Sequence, residues 1–357
     1  MDERREKAGR DGRATDPETA RAAPTRTQGA TMPRAIVEAA RRYAENAAAP
    51  NTRRAYAADW AHYERWCWRR GAPPLPPSPQ LVGLYIAECA APENGRPGLS
   101  VATIERRLAG ISWAFRQRGM AFDRRDRHVA SVLAGVRRRH ARPPRRKEAL
   151  SADDLRAMLA TLGHDLRGLR DRAILLLGYA GGLRRSEIVA LDWGRDESDD
   201  LPDGAGWVET LEGGLVLSLR GKSGWREVEI GRGEQDRSCP VRALARWRAL
   251  GRCETGPVFR AVSRDGAHVL GRRLSDRHVA RLVKRTADRA GLRGEAAEAL
   301  RRDLFSGHSL RAGLASHAEV EERLVQKQLG HVSAEMTRRY QRRRERFRVN
   351  LSRAAGL

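Results

Sequence analysis

A change of hydrophobic period near the middle of the chain constrains the fold more than any other feature. On either side of it, apolar residues recur at helical spacing. Between residues 206 and 230 the period drops to two. Leu215-Val216-Leu217-Ser218-Leu219 and Trp225-Arg226-Glu227-Val228-Glu229-Ile230 flank the turn Gly221-Lys222-Ser223-Gly224. Alternation on both sides of a glycine-bounded turn predicts a β-hairpin. A short hairpin region within helical surroundings predicts a mainly α protein carrying a small antiparallel sheet. No internal repeat is visible.

The helical segments before the hairpin form one group. Arg34–Ala48 is an alanine-rich helix, and Asn51 or Thr52 caps a longer one. That second helix carries Tyr56, Trp60, Tyr63 and Cys67 at spacings of four, three and four. The proline-rich stretch Pro73–Pro79 breaks the chain, and Ser78 opens the next helix, with Leu81, Leu84, Tyr85 and Ala91 as core positions. Ser100 opens a further helix with Ile104, Leu108, Ile111 and Phe115, and a short helix follows near Val129–Val136. Residues 33–139 therefore read as an all-helical domain. Residues 1–32 read as a disordered tail, because near-balanced charges mix there with Gly, Thr and Pro without apolar periodicity. Residues 140–149 form a basic linker. Arg137, Arg138, Arg139, Arg142, Arg145, Arg146 and Lys147 crowd its neighbourhood, and Pro143-Pro144 keeps the path extended.

The second domain runs over 150–357. Ser151 and Asp154 cap its first helix, and the apolar helix Arg167–Ala180 ends at Gly181-Gly182, a left-handed stop. After the hairpin, helices return at Pro240–Leu250, Ser275–Ala290, Ser309–Ala318, Glu321–Leu329 and Ser333–Arg346.

Charge points to the partner. The 357 residues hold 69 Lys plus Arg against 45 Asp plus Glu, a formal net charge of +24. Such an excess favours a polyanion, since each contacted phosphate releases condensed counterions. No stretch reaches the roughly 18 apolar residues of a membrane span, and Met1–Arg10 lacks the apolar centre of a signal peptide. A cytoplasmic, nucleoid-associated protein is expected. Cys67, Cys89, Cys239 and Cys253 are scattered and form no CxxC pair, so neither a disulfide framework nor a zinc site is expected.

The chemistry-bearing residues lie in the second domain. Gly182-Leu183-Arg184-Arg185-Ser186-Glu187 comes first, then Gly221-Lys222. Gly307-His308-Ser309-Leu310-Arg311, Leu329-Gly330-His331 and Thr337-Arg338-Arg339-Tyr340 follow. Two guanidiniums, Arg184 and Arg311, stay charged at any working pH and can hold anionic oxygens bidentately. His308 lies three residues before Arg311, so both face one side of a helix. A tyrosine such as Tyr340, with a reference pKa of about 10, acts as a nucleophile only with positive charge or a base nearby, and by itself it reads as a helix-face aromatic. Neither a metal nor another cofactor is required, and His308, His317 and His331 have no carboxylate-rich ligand set beside them.

This ordered set resembles the tyrosine recombinase (phage integrase) family. The resemblance covers the whole second domain. It extends more weakly to the helical one, where Asn51-Thr52-Arg53-Arg54-Ala55-Tyr56 with Trp60 and Trp66 is similar to the family's core-binding segment. It implies a helical (SAM-like) core-binding domain followed by a mixed α+β catalytic domain. It also implies strand cleavage through a 3′-phosphotyrosine and exchange through a Holliday junction. Arg184, Lys222, His308, Arg311, His331 and Tyr340 would be catalytic, with Lys222 protonating the leaving 5′ oxygen and Glu187 supporting the site. Double-stranded DNA, a homotetramer on paired sites and accessory DNA-bending proteins would be the partners. Arg53, Arg54, Arg106, Arg107, Arg145 and Arg146 are DNA-binding candidates, and Arg281, Lys284 and Arg285 are further ones on the catalytic side. Two other readings stay open: a catalytically inactive DNA-binding architectural protein, and a type IB topoisomerase-like nicking-closing enzyme. The chain departs from the family pattern at Gly181, where Thr is common. It also departs in the interval from Arg311 to His331, which is shorter than usual through Ala318–Glu322.

Overall fold

The computed structural model describes residues 33–46, 49–93, 95–143, 147–194, 206–221, 224–318, 320–331 and 333–341. The 1–32 tail lies outside them, as do Arg145 and Arg146 of the linker. The chain divides into two compact units, Met1–Ile86 with Ala102–Val129, and Ala87–Val101 with Ala130–Leu357.

The N-terminal helices are α1 (Arg34–Asn46), α2 (Pro50–Arg69), α3 (Pro79–Ala90), α4 (Val101–Gln117) and α5 (Arg127–His140). The start of α2 corrects the capping expectation. Pro50 occupies its first turn after an extended Ala49, and no side chain caps it. Proline's preset φ begins the helix without a side-chain cap. Ser78 accepts from the Leu81 N–H at 3.2 Å and opens α3 as expected. Helix α5 is longer than its apolar pattern suggested. Asp126 caps it through the His128 N–H, and Arg137, Arg138, Arg139 and His140 fill its last turn. Cations there face the negative end of the helix dipole. The first unit's core is aromatic. Tyr63 meets Tyr85 edge-on at 5.2 Å and Trp60 meets Phe115 at 5.4 Å, with Ile104, Leu108 and Ile111 from α4 buried beside them.

The second unit contains α6 (Ala152–Ala160), α7 (Leu166–Ala180), α8 (Arg185–Ala190), α9 (Pro240–Gly251), α10 (Asp276–Arg289), α11 (Glu298–Leu304), α12 (Gly307–His317), α13 (Glu322–Leu329) and α14 (Ala334–Gln341). Its strands are β1 (Leu191–Trp193), β2 (Gly206–Thr210), β3 (Gly214–Gly221), β4 (Gly224–Gly231), β5 (Gly256–Pro257), β6 (Arg260–Val262) and β7 (Val269–Arg273). The expected hairpin is β3–β4, in register from Gly214↔Gly231 to Gly221↔Gly224. It sits in a five-stranded sheet of order β4-β3-β2-β1-β5.

Two features go beyond the expected small antiparallel sheet. Strands β1 and β2 pair in parallel, which demands a long crossover instead of a tight turn; residues 195–205 of that connection lie outside the described residues. A second hairpin, β6–β7, stands apart from the main sheet. The sheet's inner face buries Val208, Leu215, Leu217, Leu219, Val228 and Ile230 against a core completed by α7 and α9. The end of the linker and the residue that follows it are tied into this unit. Glu148 N–H donates to Leu304 O at 2.9 Å and Leu150 N–H to Ser309 O at 3.2 Å. Arg293 bonds both Glu148 and Asp154. Among the described residues, no helix is long and apolar enough to cross a membrane.

Candidate active site

Two helix ends of the same design present two of the expected functional residues. Helix α7 stops where Gly182 takes the left-handed conformation, φ +56°. Gly182 N–H then donates to Tyr179 O and Leu183 N–H to Gly178 O, both at 3.1 Å. This crossed pair is the Schellman closure, which satisfies carbonyls the helix would otherwise leave unbonded. A Cβ on Gly182 would sit 2.5 Å from a Leu329 methyl, so glycine is required there for space as well as for φ. Leu183 is fully buried, and the next residue, Arg184, emerges at the start of α8.

Helix α13 ends the same way. Gly330 has φ +61°, its N–H donates to Lys327 O, and His331 N–H donates to Gln326 O at 3.2 Å. His331 is therefore the first side chain after a left-handed turn.

Arg311, on the buried side of α12, joins the two turns. It is one of the largest fully buried side chains, 2% exposed. Its guanidinium donates to Gly182 O at 2.6 Å and to Leu329 O at 2.5 Å. Each acceptor lies at the carbonyl end of a helix, where the dipole favours a cation. His308 is on the same helix one turn earlier, held by the Ser306 cap.

The imidazoles are tuned toward neutrality. His331, 7% exposed, is pushed down to about 4 by burial and then by Arg311, Arg184, His308 and Arg226. Its Nδ1 lies 2.9 Å from the Thr337 hydroxyl, and Thr337 is fully buried on α14. His308 keeps one face in solvent. Partial desolvation, followed by the charges of Arg311, Arg184 and Arg185, lowers its pKa below the ordinary imidazole value.

Glu187 occupies the third position of α8 and organises the cationic side. Its Oε2 accepts from the Arg184 N–H at 2.7 Å, the return half of a capping box. Its Oε1 accepts from Arg184 Nη1 at 2.6 Å. A second arginine that the sequence reading passed over, Arg226 on β4, forks onto both Glu187 oxygens at 3.0 Å each. Burial opposes ionisation of Glu187, but Arg226 and the Arg184 N–H outweigh it and hold the carboxyl below its usual range. Arg226 was findable. On β4 it falls in phase with Val228 and Ile230, the buried positions, so a charge there had to meet a partner.

The remaining candidates divide. Tyr340 stands in the last turn of α14, three residues after Thr337 in the chain; its side chain lies outside the described part. Lys222 lies outside the described residues, between the paired Gly221 and Gly224. Arg185, which competes with Arg184 for the same role, pairs with Asp276 at 3.6 Å. In the first unit, Arg106 is ion-paired with the buried Asp59. Arg107 donates to Tyr85 Oη at 3.0 Å and lies 3.0 Å from His62 Nδ1. Arg54 bonds Asn51 on the surface of α2, and Arg53 is half-buried beside it. In the second unit, Arg285 is bonded to the buried Asp171 and Lys284 lies 3.7 Å from Asp303.

Comparison with known proteins places the chain in a family. The Phage integrase family matches residues 148–346, which include every member of the cluster. The chain is 31% identical over 317 residues to an integrase/recombinase xerD homolog of Selenomonas ruminantium, with 84% of each chain covered. It is 32% identical over 278 residues to tyrosine recombinase XerC of Ralstonia pickettii, covering 73% of this chain and 75% of that one. A solved lambda integrase (75-356) dimer bound to a COC' core site superposes with a TM-score of 0.51 at 19% identity. That superposition covers 85% of this chain and 93% of the other and shows a common fold. The chain belongs to the phage integrase family, the tyrosine site-specific recombinases.

Proposed function

We propose that this recombinase cuts and rejoins duplex DNA through Tyr340. The observation that carries the reading is the convergence of Arg184, Arg311, His308 and His331, built from three separate chain segments, beside the helix that bears Tyr340. The tyrosine oxygen attacks the scissile phosphorus, a 3′-phosphotyrosine bond forms, and the bond to the 5′ oxygen breaks. The phosphate ester is conserved, so a 5′ hydroxyl from a second strand reverses the step without ATP. Arg184 and Arg311 neutralise the charge that grows on the non-bridging oxygens. His331 is neutral at physiological pH. Its Nδ1 lies 2.9 Å from the Thr337 hydroxyl; in the tautomer where that hydroxyl donates to Nδ1, the ring proton resides on Nε2 as a donor to a phosphate oxygen. His308, also held neutral, has an acceptor nitrogen for the tyrosine proton. Lys222, on the hairpin turn, protonates the leaving 5′ oxygen.

Four protomers on two paired sites would perform two rounds of exchange through a Holliday junction. The helical domain 33–139 and the linker, with Arg53, Arg54, Arg145 and Arg146, supply phosphate contacts, and accessory DNA-bending proteins assist at the site. Arg106 and Arg107 contribute less, because their guanidiniums already serve Asp59, Tyr85 and His62.

The test is a duplex with a footprinted binding site and a nick near the cleavage point, so that the short 5′ product diffuses away. The wild-type chain becomes covalently attached to the 3′ phosphate, and Tyr340→Phe does not. Attachment by both, or by neither, refutes the assignment.

A further inference from the structure

We propose that Arg226 is a positioning residue of the strand-transfer reaction, pinning Glu187 from the hairpin so that the Arg184 guanidinium stays aimed at the scissile phosphate. The inference rests on the reaction proposed above and concerns a residue that reaction does not name.

The geometry separates the roles of the two arginines. Glu187 and Arg226 have side chains only 6% and 14% exposed, whereas Arg184 is 43% exposed. The two enclosed groups form the closed pair, with both carboxylate oxygens taken by the Arg226 fork. Arg184 shares one of those oxygens through a single Nη1 contact, and its outer part remains in solvent. Glu187 carries one negative charge and the two arginines two positive, so the trio keeps one net positive charge, exposed on the Arg184 side for substrate. Without Arg226, the carboxylate would be compensated by Arg184 alone. The guanidinium would then turn inward and its charge would be spent on Glu187 instead of on the phosphate.

Arg226 also links the site's other parts. A Cβ on Gly330 would lie 2.6 Å from Arg226 Cδ, so the arginine stem lies flat on the turn that presents His331. Its backbone belongs to β4, two residues beyond the Gly221↔Gly224 pair that closes the Lys222 turn. One side chain therefore ties the hairpin, the Arg184 cap and the His331 turn together.

The test uses the full chain on the nicked duplex, with Arg226→Gln and Arg226→Lys beside wild type. A second duplex carries a methylphosphonate at the scissile position, which removes one non-bridging negative charge and lowers the demand on Arg184. Arg226→Gln is expected to bind the site within about threefold of wild type and to form the covalent complex about 10–100-fold more slowly, the range seen for residues that orient active-site groups. Arg226→Lys recovers part of that rate. On the methylphosphonate duplex the ratio of wild-type to Arg226→Gln rates shrinks, because the defect lies in delivery of the Arg184 charge. An equal penalty on both duplexes, or wild-type cleavage by Arg226→Gln, overturns the proposal while leaving the tyrosine reading intact. Failure of the wild-type chain to attach, or attachment by Tyr340→Phe, overturns both.

Discussion

Replacing Arg311 with methionine removes the guanidinium while keeping most of the stem's length. The usual expectation for a buried charge is ambiguous, since swapping an entire ion pair for apolar residues is often neutral or stabilising. Here the partners are the backbone carbonyls of Gly182 and Leu329, which no substitution can delete. Hydrogen bonds involving a charged group contribute about 1.5–3 kcal/mol each, and a carbonyl left buried and unbonded costs about 1–3 kcal/mol. Recovering the desolvation cost of the guanidinium offsets part of this, leaving a net loss of roughly 2–4 kcal/mol. For a unit of this size each kcal/mol moves the melting temperature by about 2–4 °C, so Arg311→Met should melt roughly 5–15 °C lower. Thermal unfolding of the full chain measures the shift. Amide exchange measures its origin, because the Leu183 and His331 N–H groups that close the two turns should exchange faster than those in the middle of α7. A methionine variant as stable as wild type, with both amides still protected, would refute the view that Arg311 is an internal strut as well as a phosphate ligand.

Other expectations can be checked with the same material. Gly330→Ala should slow covalent-complex formation more than it weakens DNA binding, because a Cβ there displaces Arg226 and the left-handed backbone itself costs about 1–2 kcal/mol. Arg252 closes α9 with φ +50° and no glycine. Arg252→Gly should raise stability by about 0.5–1 kcal/mol in urea unfolding and leave cleavage unchanged. His331 gives a pH signature. Its pKa falls from 6.5 in the unfolded chain to about 4 in the folded one, so the unfolded chain binds the proton first as pH drops. The corresponding stability is fully present above about pH 6.5 and is lost as pH falls toward 4. The difference in stability between wild type and His331→Gln should therefore shrink over that window. If it is unchanged between pH 7.5 and 5, the depressed value is wrong.

Much of this site was legible in the sequence because its residues sit next to local punctuation. Gly182 and Gly330 mark helix ends by their own chemistry, and His308 and Arg311 share a helical face by spacing alone. Glu187 could be read as a supporting group from its place after Gly-Leu-Arg. What escaped depends on tertiary partners. The strand phase of Arg226 with Val228 calls for a partner, but only the fold shows that this partner is Glu187. Arg106 and Arg107 looked like phosphate ligands, and nothing local reveals that Asp59 and Tyr85 lie within reach across α2, α3 and α4. Strands β6 and β7 are short and poor in alternation, although Asp265-Gly266 between them is a recognised hairpin turn pair. The parallel β1–β2 pairing was invisible because a three-residue strand leaves no periodic signal.

The two left-handed turns also govern where this protein can accept change. Each ends a helix and restarts the backbone from a defined geometry, so whatever precedes the turn is uncoupled from whatever follows it. A turn's worth of residues added to the outer half of α7 or α13 would shift loops and surface while Arg184 and His331 stayed where they are. A single residue inserted between Gly182 and Arg184, or between Gly330 and His331, would carry the functional side chain away from its partners. The candidate cluster is in this sense anchored to two fixed turns rather than to the lengths of its helices. A designer moving it to another helical scaffold would need to transplant the glycine turns with the side chains that follow them.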